Sequence, residues 1–169
     1  MADVPDIPRP SQLWKRLPAE RKLQAADAFW RDENAAAEQA DAVATIAQRL
    51  KFRIKSVIAL PVDKKARHLA SMPAVSELVA ARLLVSYHLA QQRPMMAAFL
   101  DALGIKHDNG LIEDDEMPAP PPEKLQEAAR TMASTFPPED VALYFTTLIW
   151  QDPETWGALQ ETPESRLAS

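Results

Sequence analysis

The sequence predicts an all-α protein, and three observations support this. Glycine is scarce, with 3 of 169 residues, while alanine is abundant and β-branched residues are few, which favours helices over sheets. The 15 prolines cluster between stretches of helical periodicity, where they mark starts and stops. Residues 75–90 are apolar on nearly every side, which is typical of a helix buried by several neighbours. We therefore expect one domain over residues 1–169, a bundle of about seven to nine helices around a buried central helix at 75–90.

The predicted central helix carries one charged residue on its broad apolar side. Arg82 and Ser86 are four residues apart and therefore project from the same side of the helix. A buried guanidinium group without a partner is costly. Either Arg82 reaches a carboxylate from another segment, or it lines a cleft that accepts an anion. A structural ion pair is the simpler interpretation, and Arg82 with Ser86 is the first candidate binding site. Pro73 suits the first turn of this helix, with Ser71 or Met72 as its cap.

Residues 32–60 read as one long helix because a single apolar stripe runs through them. Within residues 49–55, basic residues at every second position alternate with Leu50, Phe52 and Ile54, which is a strand pattern. The helix is favoured because no partner strand is evident, and it leaves Phe52 outside the stripe. The stripe consists of Val43, Ile46, Leu50, Ile54, Val57 and Ile58.

The remaining helices are predicted from proline or cap residues followed by apolar periodicity. Ser11 is placed as the cap of a first short helix, and Gly104 as the residue that ends the helix after Pro94. Proline followed by glutamate recurs at helix starts, where fixed φ and negative charge both favour the helix. These pairs are Pro122–Glu123, Pro138–Glu139, Pro153–Glu154 and Pro163–Glu164.

Three segments are expected outside the helices. Residues 1–10 form a proline-rich extended arm, and residues 163–169 form a tail. Residues 105–122 form a long acidic and proline-rich loop with a turn at 108–110. The proline run that ends this loop is expected to be polyproline helix. Because long loops are often functional, a partner site is expected here, with an ordered crossover as the alternative.

Charge is unevenly distributed along the chain. The first 106 residues carry 16 Lys/Arg against 11 Asp/Glu, and the remaining residues carry 3 against 13. Overall acidity argues against nucleic-acid binding, yet residues 49–67 hold seven cations and one acid. This segment either contacts phosphates or forms a solvated flank that complements the acidic half. Its candidate binding residues are Arg49, Arg53, Lys64, Lys65 and Arg67.

A second apolar pair, Leu143 and Trp150, lies off the main face of the helix predicted at 137–151. Trp156 and Leu159 of the next helix can cover this pair. Otherwise Leu143, Trp150 and Trp156 form an interaction surface for a partner or a second copy.

Several classes of chemistry lack their sequence signature. The chain has no cysteine, which excludes disulfides and thiolate sites and suits the cytoplasm. The N-terminus lacks a secretory pattern, and no apolar run reaches the roughly 20 residues of a membrane span. The three histidines are too widely spaced for a helical zinc motif. Phosphate-binding and nucleophile-elbow motifs are absent, so we expect no catalytic residue, cofactor or metal.

The leading hypothesis is a cytoplasmic, non-enzymatic helical adaptor that binds a protein partner or forms a homodimer. The alternative is a binder of a small anionic ligand or nucleic acid, using Arg82 or the basic segment 49–67. The third is an enzyme in which His88 or His107 lies in a cleft beside a carboxylate.

Overall fold

The all-α prediction is confirmed in the computed structural model, which describes residues 8–113 and 117–165. This part of the chain forms ten α-helices, two short 3-10 helices and one β-hairpin. The α-helices are α1 (Pro10–Arg16), α2 (Ala19–Arg31), α3 (Ala36–Leu50), α4 (Ile54–Ile58), α5 (Val62–Ala70), α6 (Glu77–Gln91), α7 (Arg93–Leu103), α8 (Pro122–Thr135), α9 (Pro138–Gln151) and α10 (Pro153–Trp156). The hairpin pairs β1 (His107–Asp108) with β2 (Leu111–Ile112), and the 3-10 helices are Gly157–Glu161 and Pro163–Ser165.

The chain divides into two compact units. One comprises Arg9–Ala90, here the α1–α6 unit, and the other comprises Met1–Pro8 with Gln91–Ser169, here the α7–α10 unit. The expectation of a single domain stays a prediction. Most of the predicted arm, part of the acidic run and the end of the predicted tail, residues 1–7, 114–116 and 166–169, lie outside the described residues. Within the described ranges, no helix combines the length and apolarity needed to cross a membrane.

The helix starts follow the predicted proline chemistry. The helices α8, α9 and α10 begin at Pro122, Pro138 and Pro153, each followed by glutamate. A proline lacks only an N–H group that the first turn leaves unpaired in any case. The Asp152 side chain accepts a hydrogen bond from the backbone N–H of Thr155 at 3.3 Å and so caps α10.

The starts of α1 and α6 differ from the prediction. Ser76 caps α6, because its Oγ accepts a hydrogen bond from the Val79 N–H at 3.2 Å and donates one to Asp41 Oδ2 at 2.8 Å. The predicted cap at Ser71 or Met72 is therefore wrong, and Pro73 precedes the helix instead of forming its first turn. Ser11 lies inside α1 and does not cap it; its N–H and its hydroxyl both donate to the Glu77 carboxylate.

The central helix α6 is buried on more than one side. Its buried apolar residues include Val79, Leu83, Leu84 and Tyr87, which do not fall on a single stripe. Leu78, by contrast, is 55% exposed. The predicted all-round burial therefore holds for the middle of the helix and not for its first turn.

The predicted single helix over residues 32–60 is wrong, because α3 ends at Leu50 and α4 begins at Ile54. Lys51 takes the left-handed conformation with φ 57°, and the Phe52 N–H donates to the Ala47 carbonyl at 2.9 Å. This is the Schellman arrangement that ends many helices. The alternative strand is also absent, since residues 49–58 form no strand in the described chain.

In the α1–α6 unit, α2 packs on α5, and α3 packs on α4 and α5. Alanines at 25, 26, 42 and 47 are buried at these helices, and small side chains permit close approach of helix axes. The largest fully buried side chains of this unit are Trp14, Phe29, Leu13, Ile46, Leu69, Leu83 and Leu84.

An aromatic cluster forms the core of the α7–α10 unit around Phe99 of α7. Its ring centroid lies 4.9 Å from that of Phe145, 5.7 Å from Tyr144 and 5.8 Å from Trp156. The Tyr144 ring meets Phe99 edge to face, the geometry that aromatic quadrupoles favour. Because burial disfavours the charged phenolate, the pKa of Tyr144 is raised well above its ordinary value.

The hairpin turn lies against the start of α7. Asn109 and Gly110 both have positive φ, 49° and 91°, as a two-residue hairpin turn requires. Arg93 Nη1 donates to the Asn109 carbonyl at 3.1 Å. The turn predicted at 108–110 is therefore confirmed, and it is fastened to α7.

Replacing Gly110 with alanine should destabilise the protein more than replacing Gly104. Both glycines have positive φ, so each alanine carries a conformational cost of about 1 kcal/mol. A Cβ at Gly110 would also lie 2.8 Å from Met96 Cβ, whereas a Cβ at Gly104 meets open space. We expect Gly110→Ala to lower the free energy of unfolding by about 2–4 kcal/mol in urea denaturation. Equal losses for the two variants would contradict this packing.

Candidate functional site

Arg82, the first sequence candidate, is bound to Asp32 at the end of α2. Its Nε and Nη2 donate to Asp32 Oδ2 at 3.1 and 2.6 Å, and Ser86 Oγ donates to the same oxygen at 2.9 Å. The Arg82 and Asp32 side chains retain only 23% and 12% of their exposure. Of the two expectations for Arg82, a carboxylate partner or a cleft for an anion, the structure shows the carboxylate partner.

Asp32 also organises the backbone between α2 and α3. Its Oδ1 accepts the Asn34 N–H at 2.9 Å, and its carbonyl accepts the Ala35 N–H at 3.2 Å and Gln39 Nε2 at 3.0 Å. Burial by itself would raise the pKa of Asp32. The hydrogen bonds from Asn34, Arg82 and Ser86 outweigh that effect and hold the pKa below its usual value. These bonds give Arg82 and Ser86 a structural role, and ligand binding by them stays a prediction without support from their geometry.

The five basic candidates of residues 49–67 differ in their surroundings. Arg67 pairs with Asp63 at 2.8 Å, Lys65 Nζ lies 5.1 Å from the Trp30 ring centroid, and Arg49 Nη1 lies 4.0 Å from Met72 Sδ. Arg53 and Lys64 are exposed and form no ion pair with any described residue. The cluster is therefore only partly free to meet a ligand.

Residues Lys51–Ile58, between the end of α3 and the end of α4, form an exposed apolar surface that we call the corner surface. Phe52, Ile54 and Ile58 are 47%, 55% and 57% exposed. They are three of the seven exposed large apolar side chains in the described residues. Val57 alone among the apolar residues of α4 is buried. The assignment of Ile54 and Ile58 to a core stripe is therefore wrong.

Cations alternate with the apolar side chains of the corner surface. Lys51, Arg53 and Lys55 are all exposed, and none pairs with an acid in the described residues. The last acid before them in the chain is Asp41 and the next one is Asp63. The corner surface is therefore both apolar and positively charged.

Lys51 adds backbone strain to the corner surface. A side chain in the left-handed region costs roughly 1 kcal/mol, which is why glycine or asparagine usually fills this position. Lys51 occupies it with φ 57° and ψ 38°. The strained residue is the one that ends α3, as a left-handed residue commonly does at a helix C-terminus.

The surface predicted from Leu143, Trp150 and Trp156 does not form. Leu143 and Trp156 are buried, because α10 and the following 3-10 helix pack on α9 and provide the cover that the sequence left open. Trp150 is 40% exposed, and its Nε1 donates to the Pro8 carbonyl at 2.6 Å. One exposed aromatic side chain remains of the three residues expected.

The histidines were the candidates for an enzymatic site. His107 Nε2 lies 2.7 Å from Asp101 Oδ1, so this histidine has a carboxylate beside it. Its Nδ1 accepts the Gly110 N–H at 3.0 Å, which leaves neither ring nitrogen available to a substrate. His88 is buried, and its Nδ1 lies 2.7 Å from the Leu84 carbonyl. In the described residues, no three histidine or acidic side chains converge as a metal site would require.

The Asp32 pair predicts a clear stability difference between two aspartates of the same region. Asp32→Asn removes a charge from three side-chain hydrogen bonds and leaves Arg82 half-buried without a counterion. We expect a loss of about 2 kcal/mol in the free energy of unfolding. Asp27→Asn, which removes the exposed pair with Arg31 at 3.0 Å, should cost under about 0.5 kcal/mol. A comparable loss in both variants by urea denaturation would contradict the anchoring role.

The stability that Asp32 contributes should depend on pH. Since the folded-state pKa of Asp32 lies below its unfolded value of 3.8, its contribution is fully present above that value. It is lost as the pH falls through the lowered folded-state pKa. The stability difference between wild type and Asp32→Asn should stay constant from about pH 7 to 5 and shrink below about pH 4.

Lys51→Gly should stabilise the protein, because glycine adopts the left-handed conformation without a steric cost. We expect a gain of about 0.5–1 kcal/mol in the free energy of unfolding. The matched control is Ala44→Gly at an exposed position inside α3, which should lose about 1 kcal/mol. A loss for Lys51→Gly would show that the lysine side chain itself stabilises the fold.

Comparison with known proteins adds no function to this geometry. No protein-family model, curated protein or solved structure matches the chain. The chemistry of the described residues is therefore the basis for assigning a role, and among them the corner surface has the clearest features of a binding site.

Proposed function

We propose that this protein is a non-enzymatic adaptor that binds an acidic, amphipathic segment of a protein partner through the corner surface. The observation that carries the proposal is the exposure of Phe52, Ile54 and Ile58 within seven residues. Several exposed large apolar side chains within one short segment are typical of interaction sites. Scattered single ones, such as Leu78, need no such explanation.

The geometry of α4 suits a partner that presents a strip of apolar side chains. Ile54 and Ile58 are four residues apart and share one face of α4. Phe52 lies two residues before Ile54, just outside the helix. Burying each of these side chains would contribute roughly 1.5–3 kcal/mol before the entropic cost of association. Three such side chains therefore support weak to moderate affinity.

The charges around the apolar residues indicate that the partner is negatively charged. Lys51, Arg53 and Lys55 alternate with the apolar residues in sequence, are exposed, and form no ion pair with an acid of the described chain. Rim cations accelerate the encounter with an acidic partner and orient it. A second copy of this chain is one such partner, since residues 107–169 carry ten more acids than bases.

The alternative function is binding of nucleic acid by the same cations. Lys51, Arg53, Lys55 and Lys64 favour it, because they are exposed and form no ion pair with any residue that the structure describes. The exposed isoleucines do not, because phosphate contacts need no apolar surface.

Cytoplasmic location suits a chain without cysteine and stays a prediction.

The proposal can be tested by selecting a displayed library of 16-residue peptides against the purified protein and measuring affinities by fluorescence anisotropy. We expect the enriched peptides to combine acidic residues with leucine, isoleucine or phenylalanine. Phe52→Ser and Ile58→Ser should each weaken binding at least tenfold, because each removes an apolar contact. Lys51→Glu combined with Lys55→Glu should abolish binding through charge repulsion.

Leu78→Ser is the matched control, because Leu78 is as exposed as Ile58 but lies outside the corner surface. It should leave peptide affinity unchanged. Affinity that is equally reduced by Leu78→Ser, or unaffected by Phe52→Ser and Ile58→Ser, would overturn the proposal. Tight, steeply salt-dependent binding of duplex DNA that Phe52→Ser leaves intact would favour the alternative.

A further inference from the structure

The proline segment before α8 has a threefold pattern of exposure. Met117 and Pro120 are half-buried, while Pro118, Ala119, Pro121 and Pro122 are exposed. A polyproline helix has three residues per turn, so residues three apart share an edge. Met117 and Pro120 therefore form an inward edge, and two outward edges remain, one of which carries Pro118 and Pro121.

The backbone of this segment is fixed in place at its carboxyl end. Pro121 has φ −59° and ψ 146°, which are polyproline values, and its carbonyl accepts the N–H groups of Lys124 and Leu125 at 3.0 and 3.1 Å. The first turn of α8 thus holds the segment at Pro121. An outward proline edge with fixed φ loses little conformational entropy on binding.

The segment also keeps its hydrogen-bond acceptors free. Within the described residues, the carbonyls of Pro118, Ala119 and Pro120 accept no hydrogen bond. Residues 117–121, including Pro118 and Pro121, form one wall of an open cavity of about 330 Å³, and residues 103–106 with Lys124 form the rest. A bound partner therefore has free carbonyls to bond and an adjacent recess for a side chain.

We propose that Met117–Pro122 is a docking ridge for the aromatic-lined groove of a proline-recognition domain. Such grooves accept the outward proline edge between aromatic rings and donate indole or phenol hydrogens to the ridge carbonyls. Prolines at positions i and i+3, here Pro118 and Pro121, are the pair that these grooves read. The ridge belongs to the α7–α10 unit and is independent of the corner surface.

The experiment titrates a panel of isolated SH3, WW and EVH1 domains with the full-length protein and follows the indole signals of each domain by NMR. At least one domain should bind with a dissociation constant below about 1 mM. Pro118→Gln should weaken that binding at least tenfold, and Pro118→Gln with Pro121→Ala should abolish it. Pro118 lies outside α8, so the single variant leaves the helix start intact, and circular dichroism checks both variants.

Pro137→Ala is the matched control, since Pro137 is an exposed proline directly before α9 and lies outside the ridge. It should bind like the wild type. Failure of the whole panel to bind the wild type, or equal binding by wild type and Pro118→Gln, would overturn the proposal. Neither outcome bears on the corner surface, whose peptide assay is separate.

Discussion

The carboxylate of Asp32 is the constraint on which the α1–α6 unit depends. Asp32 is the C-cap of α2. Its carboxylate accepts the Asn34 N–H of the α2–α3 connection and two N–H groups of Arg82 on α6. One side chain therefore joins the α2–α3 connection to α6, which lies fifty residues further along the chain. This partly buried charge is tolerated because Arg82, Ser86 and the Asn34 N–H all donate to oxygens that burial would otherwise desolvate. Helical propensity explains why the segments are helices, but this charge pair explains how α6 is fixed to α2.

The fold class and most helix bounds could be predicted because they depend on local chemistry. Proline at helix starts, Gly104 at a helix end and the Asn109-Gly110 turn each act over a few residues, so the sequence contains the full signal. The need of Arg82 for a carboxylate was also predictable from the cost of burying an unpaired cation. Its partner was not, since fifty residues separate Arg82 from Asp32 and several other acids were equally eligible.

The corner surface was missed for a physical reason. Helical periodicity continues from Val43 to Ile58, and nothing in the residues of the break resembles a helix stop. Lys51 ends α3 in a conformation that lysine seldom adopts, so residue preferences point away from it. Once the helix breaks there, the phase of the stripe changes, and Ile54 and Ile58 face solvent instead of the core. The unfavourable conformation of Lys51 thus places on the surface a segment whose sequence pattern continues the apolar stripe of α3.

The hydrogen bond between the hairpin turn and His107 fixes how this histidine bonds to its neighbours. Because the Gly110 N–H donates to Nδ1, that nitrogen must offer its lone pair, and the ring proton must reside on Nε2 and point at Asp101. The hairpin turn is therefore joined to α7 through a single imidazole, which accepts a hydrogen bond from the turn at Nδ1 and meets the helix carboxylate at Nε2.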